Sequence, residues 1–230
     1  GVIGKPVRAL ADGYISRIRV TNGSGHVLDV VYNNGYTTIN RHLSGFMPDI
    51  ARRVEKLQYE KEDWEVEIVP EPGEYPVKAG QQIAWSGNTG YSFGPHLHLE
   101  LRHSDTQEYI DPMPYFGHLL KDSKAPVASL VGIYPVAGKG VVEGRTRKKL
   151  VAVGNLSQPV EAWGEVYTGI SAKDYMDGTS NFYGVHSVTL YVDSVEVFRS
   201  VTDRVLPDEN RMINGFTDYE ELVRCIYGRT

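Results

Sequence analysis

The segment best suited to chemistry is Gly94-Pro95-His96-Leu97-His98-Leu99-Glu100-Leu101-Arg102. Successive side chains of a strand point to opposite faces, so a strand here places His96 and His98 on one face, roughly 6 to 7 Å apart. Leu97 and Leu99 are then expected to point the other way, into a core. Neutral imidazole is both a frequent metal ligand and a proton acceptor near neutral pH, so two on one face suit a ligand beside a catalytic neighbour. A His-x-His alone is more often a pair of solvated histidines on an amphipathic strand, and its flanks must decide. Glu100 shares the histidine face, where it suits an orienting role or plain solvation. The only cysteine is Cys225, which excludes an intrachain disulfide and a cysteine zinc cage; a metal site would use histidine and carboxylate.

Three blocks carry more information together. Gly4-Lys5-Pro6-Val7-Arg8-Ala9-Leu10-Ala11-Asp12-Gly13 comes first, then Asn34-Gly35-Tyr36-Thr37-Thr38-Ile39-Asn40-Arg41-His42-Leu43-Ser44. The third runs from Val77-Lys78-Ala79-Gly80 through Ser86-Gly87-Asn88-Thr89-Gly90 to Gly94-Pro95-His96-Leu97-His98-Leu99-Glu100, with glycines supplying turns into the His-x-His strand. In order and spacing these blocks resemble the M23 (LytM/lysostaphin-like) zinc metallopeptidases, over about half the chain. The resemblance implies one zinc ion as cofactor, with His98 as a metal ligand. It implies His42 and His96 as the catalytic pair, activating the attacking water and stabilising the tetrahedral intermediate.

The same resemblance implies an endopeptidase cutting peptide bonds of peptidoglycan in the bacterial cell envelope, periplasmic or extracellular. The alternative is a non-catalytic LytM-like module that binds cell wall or regulates a hydrolase. In the family, a histidine and an aspartate of an early His-x-x-x-Asp motif complete the metal site. That motif would precede Gly4, so residues 1–230 alone are expected to hold zinc weakly and show little activity. Asn40 stands where the family generally has tyrosine. A biotinyl or lipoyl carrier would account for Val77 to Ala84, but it requires a modified lysine between methionines and leaves His-x-His without a role.

The elements that must position these residues are mainly strands. Val7 to Ala11, Tyr14 to Val20, Val27 to Tyr32 and Tyr36 to Leu43 read as an antiparallel meander, with Asn33-Asn34-Gly35 as its sharpest hairpin signal. Within Pro48 to Glu67, the stripe Ile50, Val54, Leu57 and Lys61 predicts a short inserted helix capped by Asp49. The prolines of Pro70 to Pro76 predict a loop, after which strands resume at Gln82 to Ser86 and His96 to Arg102. The expected fold is mainly β: an antiparallel, barrel-sandwich type LytM-like domain over 1–120, then an Ig-like β-sandwich over 126–230, short of the strands that close a seven-stranded sandwich. In the second part, strands are expected around Leu130 to Pro135, Leu150 to Val153 and Val185 to Val192. Asp174 to Asn181 has calcium-loop oxygens without the closing glutamate and reads as a turn.

Of the 230 residues, 41% are hydrophobic and 23% charged, ordinary for a folded protein. A net charge of −5 gives no reason to expect nucleic acid or an anionic membrane as partner. No apolar run is long enough to span a bilayer. The sequence makes one sharp geometric prediction: His42, His96 and His98 converge on one side of the sheet. Coordinates check it, and a His42 imidazole on the opposite side from His98 would remove the catalytic assignment.

Overall fold

A computed structural model describes residues 1–227; residues 228–230 and the side chains of 213, 214 and 225–227, Cys225 included, lie outside the description. The described residues form antiparallel sheets with few short helices, and they fall into two compact units, 1–112 with 204–210, and 113–203 with 211–230. No helix among them is long and apolar enough to cross a membrane.

The first unit opens with strands β1 (Pro6–Arg8), β2 (Gly13–Thr21), β3 (Gly25–Tyr32), β4 (Tyr36–Leu43) and β5 (Gly45–Phe46). Helix α1 (Pro48–Lys61) follows, then β6 (Val66–Ile68), β7 (Pro76–Val77), β8 (Gln82–Trp85), β9 (His98–His103) and β10 (Tyr109–Ile110). The meander β2-β3-β4 pairs on through β9 and β10, with β6 and β7 along the other side of β2; a small sheet β1-β8-β5 completes the unit. One face of the meander carries the core, including Ile18, Val20, Leu28, Val30, Leu43 and Ile83, all essentially buried. Helix α1 covers this core with Ile50 and Val54. Pro48 begins the helix and Asp49 sits in its first turn, where a negative charge suits the helix dipole. Asp49 is not the cap, because Met47 holds that position without a side-chain hydrogen bond. The helix ends at Lys61, with Glu62 left-handed at φ 51°, rather than running towards Glu67.

In the second unit come the short helix α2 (Met113–Phe116) and strands β11 (Val127–Val142), β12 (Lys149–Ala152), β13 (Ala162–Tyr175) and β14 (Phe182–Tyr183). They form a four-stranded sheet in the order β12-β11-β13-β14, and β15 (Ser187–Val192) and β16 (Val195–Val201) form a separate hairpin. The longest pairing is β11 with β13, and β13 escapes sequence reading because Gly164 and Gly169 look like turns. Both glycines are strand positions of close approach: a Cβ on Gly164 would lie 2.1 Å from Lys139 O, and one on Gly169 3.3 Å from the Tyr134 ring. After β16 the chain returns to the first unit as β17 (Arg204–Val205), paired with β10, and α3 (Tyr219–Tyr227) closes the described chain.

One irregularity in the meander matters for function. Leu28 pairs with Asn40, but two residues earlier His26 pairs with Leu43, so β4 has one residue more than β3 opposite Val27. This is a β-bulge at Arg41 and His42. The loop after β8 is fitted against it: Ser44 N donates to Trp85 O at 3.0 Å and His96 N to Gly87 O at 3.0 Å. A Cβ on Gly87 would lie 2.3 Å from Ser44 N and 2.7 Å from both His42 O and Leu43 C, all backbone atoms. Gly87→Ala should therefore cost about 2 kcal/mol, as overpacking against an unyielding backbone does. Gly45→Ala, where nothing lies within 4 Å, should fall within about 0.5 kcal/mol of wild type. Urea unfolding midpoints of the two variants check this.

Candidate active site

In β4 a regular strand would turn His42 away from the face that His98 occupies. Arg41 is paired with His98, and paired residues of neighbouring strands share a face, so His42 ought to follow Thr38 and Asn40 towards the core. The bulge prevents this. His42 has φ 59°, in the left-handed region that an L residue enters at a cost of about 1–2 kcal/mol. Its ring thereby joins those of the His-x-His segment, with centroids 4.8 Å from His96 and 5.9 Å from His98. One ligand-capable atom from each of the three lies within 4.8 Å of the others.

Hydrogen bonds to groups that can only accept fix which nitrogen each ring presents. His42 Nδ1 lies 2.9 Å from the Thr89 carbonyl oxygen, so Nδ1 carries the proton and donates, leaving Nε2 with its lone pair. Thr89 also ties the bulge down: its Oγ1 donates to Leu43 O at 2.7 Å and accepts from His26 N at 3.0 Å. His96 Nδ1 is 2.8 Å from Gly94 O, which again leaves Nε2 open. His98 is set the other way. Its Nε2 donates to Glu100 Oε1 at 3.1 Å, so Nδ1 is the free nitrogen.

Glu100 is itself clamped. Arg102 Nε donates to its Oε2 at 3.0 Å with a second bond from the same guanidinium, and Arg41 reaches Oε1 at 2.6 Å. Burial alone would raise the Glu100 carboxyl, but the bonds from His98 and Arg102 and the charge of Arg41 outweigh it and hold the group at about 2. The carboxylate therefore stays ionised and keeps the His98 tautomer fixed, in the manner of carboxylate–histidine–metal arrangements.

The three histidines fit a zinc ion by donor chemistry. Ligand nitrogens about 2.0–2.1 Å from tetrahedral zinc stand roughly 3.4 Å apart, so with one ligand-capable atom of each ring within 4.8 Å of the others, a zinc held by one of these histidines would have the other two beside it. The expectation that a metal would find His98 as its single protein nitrogen does not follow from this geometry, since three imidazoles are assembled within residues 1–230. Burial is graded across the set: His42 is buried, His98 half-exposed and His96 exposed.

Two other readings change, those of Leu97 and Asn40. Leu97 precedes β9, which begins at His98, and is exposed; Leu101 is the leucine of this strand that the core buries. Asn40 faces the core, where its Nδ2 donates to Leu28 O at 3.3 Å, and so does not line the histidine cluster. His26 is packed against Phe46 with centroids 4.9 Å apart, Asp29 is held by Arg19 at 2.6 Å, and His103 stacks on Tyr36. In the second unit Asp177 accepts from Ser123 N and Oγ, both at 2.8 Å, which occupies it as a turn residue. Thr89 and Arg41 are the positioning residues that sequence reading did not single out. The only available signal was the turn-forming Gly87-Asn88-Thr89-Gly90, which does not reveal a role carried by a backbone carbonyl.

Because Glu100 is depressed from 4.5 to about 2, its contribution is fully present above pH 4.5 and is lost as pH falls towards 2. Wild type should lose about 2 kcal/mol more stability than Glu100→Gln between pH 5 and pH 2.5. Urea titrations of both proteins at the two pH values test this, and equal losses would show that Glu100 is not held as described.

No protein-family model matches the chain. Among curated relatives, the glycyl-glycine endopeptidase ALE-1 of Staphylococcus capitis is 35% identical over 117 residues, 49% of this chain and 26% of that protein. The DD-carboxypeptidase/endopeptidase Mpg of Neisseria meningitidis is 33% identical over 99 residues, 43% of this chain and 17% of its own length. The chain thus spans about a quarter or less of these relatives. Among solved structures, the catalytic domain of lysostaphin from Staphylococcus simulans is 31% identical, covering 51% of this chain and 74% of that one, with a TM-score of 0.37. Taken with the sequence blocks at 4–13, 34–44 and 77–100, these relatives identify in this chain a peptidase domain of the M23, LytM/lysostaphin-like family.

Proposed function

We propose that this domain is a zinc-dependent endopeptidase that hydrolyses peptide bonds in peptidoglycan, working in the bacterial cell envelope, periplasmic or extracellular. The observation that carries the reading is the convergence of His42, His96 and His98 with one unprotonated nitrogen left on each ring. Two of the relatives are named as endopeptidases, which supports the reaction type. In this reading His98 holds the metal through Nδ1, and His42 and His96 are the catalytic pair. Zinc, when bound, would supply Lewis acidity towards the scissile carbonyl and the attacking water.

The chain's own residues supply the proton chemistry. His42, fixed by Thr89 and shielded from solvent, presents Nε2 as a rigid acceptor. His96, open to solvent, can pick up a proton on Nε2 and hydrogen-bond the oxygen on which charge develops, or protonate the departing amine. The histidine and aspartate that the family carries upstream would add to the metal site. The backbone of Gly1 lies against Pro95 and His96, where a Cβ on Gly1 would come 2.0 Å from Pro95 O and 3.3 Å from His96 Cα. Gly1 thus lies against the segment that carries His96. We assign residues 1–120 to the peptidase domain and 126–230 to an Ig-like β-sandwich module; the new run of antiparallel strands from Val127 onward supports the division, while residues 204–210 group with the first unit.

Holding a metal and moving protons have separable readouts. In the domain extended upstream to include the family's histidine and aspartate, His98→Ala should lose zinc together with activity, because a ligand is removed. His42→Ala and His96→Ala should keep zinc and lower turnover at least about 100-fold. Bound zinc after dialysis and cleavage of cross-linked peptidoglycan peptides, measured on all three variants, test the assignment. Loss of metal from His96→Ala with retention by His98→Ala would exchange the two roles. A zinc-loaded wild type that binds wall fragments without cutting them would instead establish the non-catalytic module.

A further inference from the structure

The loop that leads into His96 carries two aromatic side chains that nothing in the proposed chemistry uses. Phe93 is 96% exposed and Tyr91 76%, and their rings meet edge to face with centroids 5.3 Å apart. Scattered exposed apolar residues are ordinary, but a paired, outward-facing set of aromatics on a pinned loop is not. The loop is held at several points. Tyr91 N donates to Gly23 O at 2.8 Å, and Gly90, at φ 74°, packs so closely on the Gly23–Gly25 turn that a Cβ would lie 2.3 Å from Gly25 N. Ser92 Oγ, between the two aromatics, donates to Asn88 Oδ1 at 2.7 Å and lies 3.3 Å from His96 Nδ1.

These anchors prevent the loop from folding inward to bury its rings, and they tie the rings to the histidine cluster. Only Gly94 and Pro95 separate Phe93 from His96, and three residue steps reach at most about 10 Å, so the pair stands near where a scissile bond would sit.

We propose that Tyr91 and Phe93 form the substrate platform of this site: a peptide segment in extended conformation, with small side chains, lies across the two rings and is carried into register with His42 and His96. This rests on the peptidase reading and deepens it. The rings stand at 71° to one another and are largely exposed, so they offer an open corner made of one face and one edge, which favours contact with main chain and small side chains such as glycine and alanine. Aromatic surfaces of this kind contribute to binding at little conformational cost, because the rings are already held.

The test uses the full chain with zinc, tri- to hexapeptides of glycine and of alanine as probes, and the variants Phe93→Ala, Phe93→Tyr and Tyr91→Ala. Phe93→Ala should raise KM roughly tenfold with kcat and zinc content unchanged, and Phe93→Tyr should restore it; uniform binding lost without turnover is the signature of a platform. Binding of the same peptides to the metal-free chain, followed by NMR shifts, should weaken by the same factor in both alanine variants. A wild type that cleaves while Phe93→Ala changes neither KM nor peptide binding would overturn the platform and leave the peptidase reading standing. A wild type that binds the peptides through Phe93 but cleaves nothing would retain the platform and overturn the peptidase reading. Loss of kcat and zinc in both Phe93→Ala and Phe93→Tyr would make the loop structural and end the proposal.

Discussion

The arrangement of the site depends on one backbone conformation, the left-handed residue at His42. Strand alternation would place this imidazole among the buried side chains of Thr38 and Asn40, on the far side of the sheet from His98. An extra residue in β4 and a positive φ turn it back. Such a conformation costs about 1–2 kcal/mol for a residue with a Cβ, and it persists because its surroundings over-determine it. His42 N donates to Ser24 O at 3.0 Å, its ring donates to Thr89 O, and Thr89 Oγ1 holds Leu43 O. Each such bond contributes about 0.5–1.5 kcal/mol net, enough together to offset the strain.

The second level of organisation is the choice of tautomer. Two imidazoles donate from Nδ1 to backbone carbonyls and one donates from Nε2 to a carboxylate, so each ring keeps one nitrogen without a proton. The chain thus spends main-chain acceptors on His42 and His96, and an ionised side chain on His98. That difference is chemically sensible. A carboxylate partner orients a metal ligand and fixes its tautomer, whereas a neutral carbonyl fixes the tautomer of a proton-transferring group without placing a charge beside it. Arg41 and Arg102 keep Glu100 charged while half-buried, and a buried carboxylate without them would be expensive.

How much of this could be read from the sequence follows from which features are written in side-chain types. The β2-β3-β4 meander, the inserted helix and the His-x-His segment were legible because their periodicities and turn residues follow general rules, whereas the first expected strand, Val7 to Ala11, forms β1 (Pro6–Arg8) and pairs with β8 in the small sheet instead of joining the meander. The bulge was not, since position 42 holds histidine where a left-handed residue is usually signalled by glycine or asparagine. Thr89 was hidden for a related reason: it positions His42 through a carbonyl oxygen that any residue would possess. Strand β13 was missed because glycines required for close packing look identical in sequence to glycines required for turns. Asp49 had the composition of a cap but was displaced by Pro48, which fits the first helical position.

The site therefore depends on His42 being turned into the cluster with its Nδ1 protonated. Long-range proton–nitrogen NMR of the histidine rings, recorded on the full chain before and after adding one equivalent of zinc, addresses this directly. The predicted result is an Nδ1–H tautomer for His42 and His96, an Nε2–H tautomer for His98, and perturbation of all three rings by zinc. An Nε2–H tautomer for His42, or a His42 ring that zinc leaves unmoved while His98 shifts, would contradict it.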